Sequence, residues 1–207
     1  MTDPTLYSMP SSGNSYKVRL LLALLGRPYT HVAVEVRSPE LAAAQAAGHL
    51  PMGKAPALHL ADGTVLPESN AILWYLGRGT AWVPEAALDQ ARSLAWMFFE
   101  QNRHEPVVAV RASLRCYPHL AAEATPERMA DLLEAGHAVL QVMEDGLSGR
   151  PWFGGAAPSV ADIALYAYTH SAGSRGGFDM ARFPAIAGWC ARVAALPGYV
   201  GLDAIPA

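Results

Sequence analysis

Residues 5–36 read T-L-Y-S-M-P-S-S-G-N-S-Y-K-V-R-L-L-L-A-L-L-G-R-P-Y-T-H-V-A-V-E-V, and the change of hydrophobic period along this stretch decides the fold. Thr5 to Met9 has the composition of a short strand, and Pro10 to Gly13 that of a turn. From Ser15 to Leu25 apolar residues recur at helical spacing (Val18, Leu21, Leu22, Leu25), and Gly26 stops the run as a C-terminal cap. Thr30 to Val36 alternates and is β-branched, which predicts a strand. Strand, helix and strand in about thirty residues make a βαβ unit, with parallel pairing and a right-handed crossover.

Working outward, Pro39 to Ala47 predicts a weaker, alanine-rich helix. Ala57 to Ala61 and Thr64 to Leu66 predict short strands joined by Asp62-Gly63, a hairpin signal in which both turn residues take positive φ. Ser69 is expected to cap a helix reaching about Leu76. The order β-α-β-α-β-β-α is thioredoxin-like. Gly77 to Pro84 (G-R-G-T-A-W-V-P) reads as a linker. Beyond it the pattern is helical throughout, over 86–115, 126–146, 159–171 and 184–195. The expected fold class is therefore α/β plus all-α. A thioredoxin-like domain spans 1–78, a linker 79–85, and an all-helical bundle domain 86–207.

Composition excludes several classes. With 52% hydrophobic and 16% charged residues the chain has the balance of a folded protein, opposite to that of a disordered one. The formal net charge is −3 and basic residues are scattered singly, apart from Lys17 and Arg19, so no nucleic-acid-binding stripe is present. The two cysteines, Cys116 and Cys190, form neither a C-x-x-C nor a His/Cys cluster, so no metal site is expected. Met1-Thr2-Asp3-Pro4 lacks the basic and apolar regions of a signal peptide, and Leu20 to Leu25 is too short to span a bilayer. The expectation is a cytoplasmic protein without membrane partners.

Three places carry candidate chemistry. Pro56 directly precedes a strand, where it cannot donate to the ladder. The backbone of Ala55 before it would face outward, ready to pair with an extended peptide. An ordinary trans turn uses the same residues. At Glu68-Ser69, a hydroxyl and the free N–H groups of a helix start suit a carboxylate, and the acid suits an ammonium, so together they match an amino-acid head group. A plain helix N-terminus also looks like this. Ser11-Ser12-Gly13-Asn14 lies between the first strand and first helix, where a redox enzyme of this fold carries cysteine and this chain has none. Hydroxyl and amide donors at a helix start stabilise a bound thiolate, at about 1.4 kcal/mol per unit of depressed thiol pKa. A loop with an N-cap again uses the same residues.

The run from Ser11 to Tyr29, then P-M-G-K-A-P-A-L (51–58), D-G-T-V-L-P-E-S-N-A-I-L-W-Y-L (62–76) and P-S-V-A-D-I-A-L-Y-A-Y (158–168) resembles a bacterial cytosolic glutathione S-transferase along almost the whole chain. The resemblance implies that Ser12 matches the sulfur-contacting serine of theta- and zeta-like members. Ser12 also falls where fungal prion-like and related bacterial, nu-like members have threonine, and Asn14 matches their asparagine, its main rival. It implies glutathione contacts from Lys54, Ala55, Pro56, Glu68 and Ser69, and from Gln101 or Asn102 on the helix spanning Trp96 to Pro106, which Pro106 should kink. Met9, Pro10, Arg111 and Tyr117 become candidates for an acceptor pocket taking a small hydrophobic electrophile. A homodimer and no cofactor beyond glutathione are implied in the same way. A glutathione-dependent disulfide reductase or peroxidase, and a non-catalytic glutathione-binding protein, are the alternatives on this fold.

The chain departs from the family pattern in having Leu50-Pro51 for Asn-Pro and Ala55 for valine, although Ala55 supplies the same backbone groups. Some classes use a tyrosine near the end of the first strand. Here Met9-Pro10 align Ser8 with that position, and adjacent strand residues face opposite ways, so Tyr7 reads as core. Ser159-Val160-Ala161-Asp162 is a capping-box variant and reads as structural. His104 and Glu105 read as ordinary helix residues.

Overall fold

The computed structural model describes residues 3–205, which form two compact units, residues 3–80 with 195–205, and residues 81–194. Met1 and Thr2, part of the basis for expecting no signal peptide, lie outside the described residues. In the first unit β1 (Thr5–Ser8), α1 (Gly13–Leu24), β2 (Thr30–Ala33), α2 (Pro39–Ala46), β3 (Ala57–His59), β4 (Val65–Pro67) and α3 (Ser69–Gly77) follow in the expected βαβαββα order. The sheet runs β2-β1-β3-β4, with β1 and β2 parallel and the other pairs antiparallel.

The burial pattern follows from residue type. Val18, Leu20, Leu21 and Leu22 of α1, Leu6 and Leu58 of the strands, and Ile72 and Leu73 of α3 have no exposed surface. Burial of such side chains stabilises the fold by about 1.5–3 kcal/mol each. The opposite sheet face packs α2 through Val34, Ala44, Leu50 and Ala57. Tyr7 packs against that cluster, and its ring lies against those of His49 and His59, at centroid distances of 4.9 and 4.7 Å. Lys17 and Arg19, which the sequence sets apart from its otherwise scattered basic residues, are 0% and 1% exposed inside α1.

Several boundaries differ from the sequence reading, each for a local reason. β2 stops at Ala33, because beyond it the Glu35 carboxylate accepts from the Val36 N–H and from Ser11. β3 stops at His59, and β4 lies one residue later than expected. In their turn Gly63 takes φ 86°, but Asp62 does not share a positive φ. Asp62 Oδ1 instead accepts from the Thr64 N–H at 2.9 Å, and that side-chain turn replaces the two-residue hairpin. Ser69 is the first residue of α3 rather than its cap; Glu68 takes the cap position at φ 65°, ψ 114°.

The second unit contains α4 (Ala87–Phe99), α5 (Val110–Cys116), α6 (Pro126–Gly146), α7 (Val160–Thr169) and α8 (Pro184–Ala194), with short 3₁₀ and π turns between some of them. α4 and α5 are joined without a break by a π-helical stretch, Glu100–Ala109, that contains Pro106. The proline lacks an N–H and crowds the preceding turn, and wider turns accommodate it. The capping box at α7 is present, with Asp162 Oδ2 accepting from the Ser159 N–H at 2.8 Å. The sequence reading assigned everything to 207 to the helical domain, but 195–205 pack with the first unit. There Tyr16 Oη donates to the Val200 carbonyl at 2.7 Å, and an Arg19 nitrogen donates to the Leu202 carbonyl at 2.9 Å.

Candidate functional site

The sheet register gathers the candidate residues of the first unit. Tyr7, Ala57 and Pro67 form one rung across β1, β3 and β4. The loop after Ser8, the loop before Ala57 and the start of α3 after Pro67 therefore leave the sheet at the same end. These three segments hold Ser12 and Asn14, Lys54 to Pro56, and Glu68 to Ser69.

The β1–α1 loop is fixed by side-chain bonds from α1 and from the segment after β2. Arg19 donates to Ser8 Oγ at 2.8 Å and to the carbonyls of Met9 and Pro10 at 3.2 and 3.0 Å. Burial lowers its guanidinium pKa, an effect that nearby Tyr29, Tyr16, Asp203 and Glu35 oppose. Ser15 Oγ accepts from the Met9 N–H at 2.9 Å, and Glu35 accepts from both the N–H and the hydroxyl of Ser11. Ser12 is the N-cap of α1, its Oγ accepting from the Ser15 N–H at 3.4 Å. Ser12 is half-buried at a helix start, where the dipole favours negative charge.

The other two segments are shaped as differently. The Ala55–Pro56 peptide is cis. The β1–β3 ladder ends at Tyr7–Ala57, two residues after Ala55. Lys54 is exposed, and the loop containing it is held by a Gln45 Nε2 to Gly53 carbonyl bond of 2.8 Å. Glu68 is exposed, and a non-glycine residue at its φ and ψ is strained by about 1–3 kcal/mol. Ser69 is 5% exposed, and its hydroxyl lies 3.4 Å from Asn14 Oδ1, so the starts of α1 and α3 meet there. Lys17 Nζ joins them, 3.5 Å from Ser69 Oγ and 3.3 Å from Asn70 Oδ1.

In the second unit Gln101 is half-buried and donates from Nε2 to Glu100 at 2.8 Å. Arg111 is 9% exposed; it donates from Nε to the Gly176 carbonyl at 2.9 Å and from a terminal nitrogen to the Met129 carbonyl, over the Phe178 ring. These bonds make it a brace between α5, α6 and the Ala172–Gly176 turn, and burial, then Arg115, lowers its pKa. Tyr117 follows α5 with its ring against His119. His104, read as an ordinary residue, is fully buried and bonds Thr169 Oγ1 through Nε2 at 3.0 Å. Among the described residues, no group of three or more His, Cys, Asp or Glu is placed to hold a metal ion, and no helix is long and apolar enough to cross a membrane.

Sequence reasoning missed Arg19, Lys17 and Glu35 as supports of this site. The available signal was two basic residues at i and i+2 inside an apolar helix, where at least one had to be buried.

Comparison with known proteins places both parts of the chain in a family. Residues 6–80 match the family model described as glutathione S-transferase, N-terminal domain, and residues 126–192 the one described as glutathione S-transferase, C-terminal domain. A possible glutathione S-transferase from Rhodopseudomonas palustris is 42% identical, with a TM-score of 0.91 over 99% of this chain and 92% of that one. A glutathione transferase from Burkholderia graminis, solved with two glutathione molecules per subunit, is 26% identical at a TM-score of 0.80 over 95% of this chain and 85% of its own. The disulfide-bond oxidoreductase YfcG of Escherichia coli is 27% identical over 93% of this chain and 90% of its own length. The chain spans about half (48%) of the length of the Debaryomyces hansenii protein URE2, at 25% identity.

Proposed function

Because the chain belongs to the glutathione S-transferase family, we propose that it binds glutathione at the end of the sheet where the three loops converge and activates its thiol there as the thiolate. The observation that carries this reading is the Tyr7–Ala57–Pro67 rung, with the Asn14–Ser69 contact above it. The cysteinyl backbone of glutathione pairs with Ala55, and Lys54 reaches its glycyl end. The γ-glutamyl carboxylate takes the Ser69 hydroxyl and the N–H groups at the start of α3, and Glu68 pairs with its ammonium. Ser12 and Asn14 donate to the sulfur at the start of α1, in the manner of theta-, zeta- or nu-like members. The thiol proton passes to solvent. The thiolate then forms a bond to the electrophilic carbon of a small apolar acceptor, whose leaving group departs with its electron pair. Met9, Pro10, Arg111 and Tyr117 are the acceptor-side candidates, with Arg111 acting through its bracing bonds. A cytoplasmic homodimer with a role in detoxification is part of the same proposal.

Ser12→Ala and Asn14→Ala, singly and together, test this assignment. Each should raise the pKa of bound glutathione, read from thiolate absorbance, and lower turnover at neutral pH by about tenfold per unit. Unchanged values in the double variant would overturn it.

A second reading is favoured by the likeness to YfcG together with the Ser12-x-Asn14 spacing. In it the thiolate attacks one sulfur of a disulfide and expels the other as a thiolate, leaving a mixed disulfide with glutathione; a second glutathione thiolate then attacks the glutathione sulfur of that mixed disulfide, expels the remaining substrate thiolate and forms glutathione disulfide. A mixed-disulfide substrate assayed beside an aryl halide separates the two by their ratio of kcat/KM.

A further inference from the structure

We infer that the first unit carries a second binding site, at the end of the sheet away from the three converging loops, for a small amino acid with an apolar side chain. The Thr5–His59 rung closes the β1–β3 ladder at that end, as the Tyr7–Ala57 rung closes it at the other. A cavity of about 520 Å³ lies beyond it, a volume within the usual range of small-molecule sites. Its apolar wall includes Pro4, Leu60 and Leu76 and the side chain of Tyr75, which is 49% exposed. Asp3, Arg27 and Asp62 add three charges to the lining.

These charges are placed to hold a ligand that carries both signs. Arg27 lies three residues before β2 and Asp62 three residues after β3. β1 runs between those strands, and Asp3 lies two residues before it, so Arg27 and Asp62 stand on opposite flanks with Asp3 between them. Arg27 donates to the Leu76 carbonyl at 3.1 Å, and Asp62 Oδ1 accepts from the Thr64 N–H at 2.9 Å. Both partners are uncharged backbone groups. Among the described residues, no ion pair joins Asp3, Arg27 or Asp62 to one another or to another side chain. A single surface charge is ordinarily left to water and would carry no meaning. Here two of the three are already tied to the backbone around an apolar cavity, so docking a ligand has less side-chain freedom to remove. The other N–H groups of Arg27 suit a carboxylate, and the two aspartates suit an ammonium. Tyr75 offers an aromatic ring to an apolar side chain. An ammonium and a carboxylate on one carbon, with an apolar side chain, make an α-amino acid. A purely apolar ligand would leave all three charges unused, and a simple anion would be repelled by two carboxylates.

The test titrates L-phenylalanine into the full-length protein, followed by its backbone amide resonances, with and without saturating glutathione. Phenethylamine, which lacks the carboxylate, and phenylpropionate, which lacks the ammonium, are titrated in the same way. Phenylalanine should shift the amides of Thr5, Thr30, Ala61 and Gly77 and leave those of Gly13 and Asn14 in place, whether or not glutathione is present. Each truncated probe should bind at least about threefold more weakly. Arg27→Gln should weaken phenylalanine and phenylpropionate by a similar factor and leave phenethylamine no weaker. Asp62→Asn keeps an acceptor for the Thr64 N–H, and it should weaken phenylalanine and phenethylamine while leaving phenylpropionate no weaker. Equal affinity for the three probes would reduce the site to an apolar cleft and overturn the inference. So would shifts centred on Asn14, displacement of phenylalanine by glutathione, or no shift at the solubility limit of phenylalanine. The comparison of probes needs no variant, so it decides the matter even where a substitution disturbs the fold.

Discussion

At the scale of single residues, burial separates side chains that look alike in the sequence. Cys116 is exposed, whereas burial pushes the Cys190 thiol up to about 12. The thiolate is the reactive form, so the native protein should take up one equivalent of iodoacetamide at pH 8 and two after unfolding. Mass spectrometry of the alkylated peptides checks this, and native labelling of Cys190 contradicts it. Glu68 is the second case. At φ 65° and ψ 114° it holds a backbone conformation that suits glycine. Glu68→Gly should leave stability unchanged or raise it by up to about 1 kcal/mol, while KM for glutathione rises at least tenfold or so. Thermal melts and steady-state kinetics on the same variant separate the two effects. The hydroxyl, amide and acid of this site were legible in the sequence because their types match their chemistry. Their supports Lys17, Arg19 and Glu35 were not, because a charged residue is read as solvated until its neighbours are known.

At the scale of elements, the start of α7 is a knot rather than a simple cap. Asp162 accepts from the Ser159 N–H and hydroxyl, from the Phe153 N–H at 2.9 Å and from Trp189 Nε1 at 2.9 Å. It therefore ties α7 to α8 and to the preceding loop. Burial raises its carboxyl above the usual carboxylate range, and these donors oppose the rise. Ser159→Ala should cost about 1 kcal/mol. Asp162→Ala strands several buried donors and should cost at least about 3 kcal/mol, both read from denaturant midpoints. Equal costs would show that the box does no more than cap. The four-residue capping spacing was legible in the sequence. The bond from Trp189, distant along the chain, was not. The hairpin shows a similar limit: Asp62-Gly63 marked the turn, but its type depended on whether the Asp62 side chain or backbone met Thr64.

At the scale of the whole molecule, stability depends on pH through two histidines. Desolvation, then Arg19, lowers the His31 pKa; desolvation, then Arg182, lowers that of His137. A histidine whose folded pKa lies below its unfolded value of ~6.5 contributes stability that is complete above that pH, and this is lost as pH falls through the folded value. The melting temperature should therefore decline from pH 7 to pH 5, and His31→Gln with His137→Gln should flatten that slope. The tail of the chain also acts at this scale. Arg19 bonds the Met9–Pro10 loop and the Leu202 carbonyl together, so a chain ending at Ala194 should melt lower and retain glutathione more weakly. A truncated protein that keeps full affinity would separate tail from site. By itself the sequence determined the βαβαββα order, the helical remainder and the residue types of the candidate site, because periodicity, caps and turn residues act between near neighbours in the chain. Only the tertiary structure decided that residues 195–205 return to the first unit, that Lys17 and Arg19 lie inside it, and that Asn14 meets Ser69. Those contacts join residues far apart in sequence, and they exist only once the sheet register and the packing of α1 on α3 bring the segments to one end.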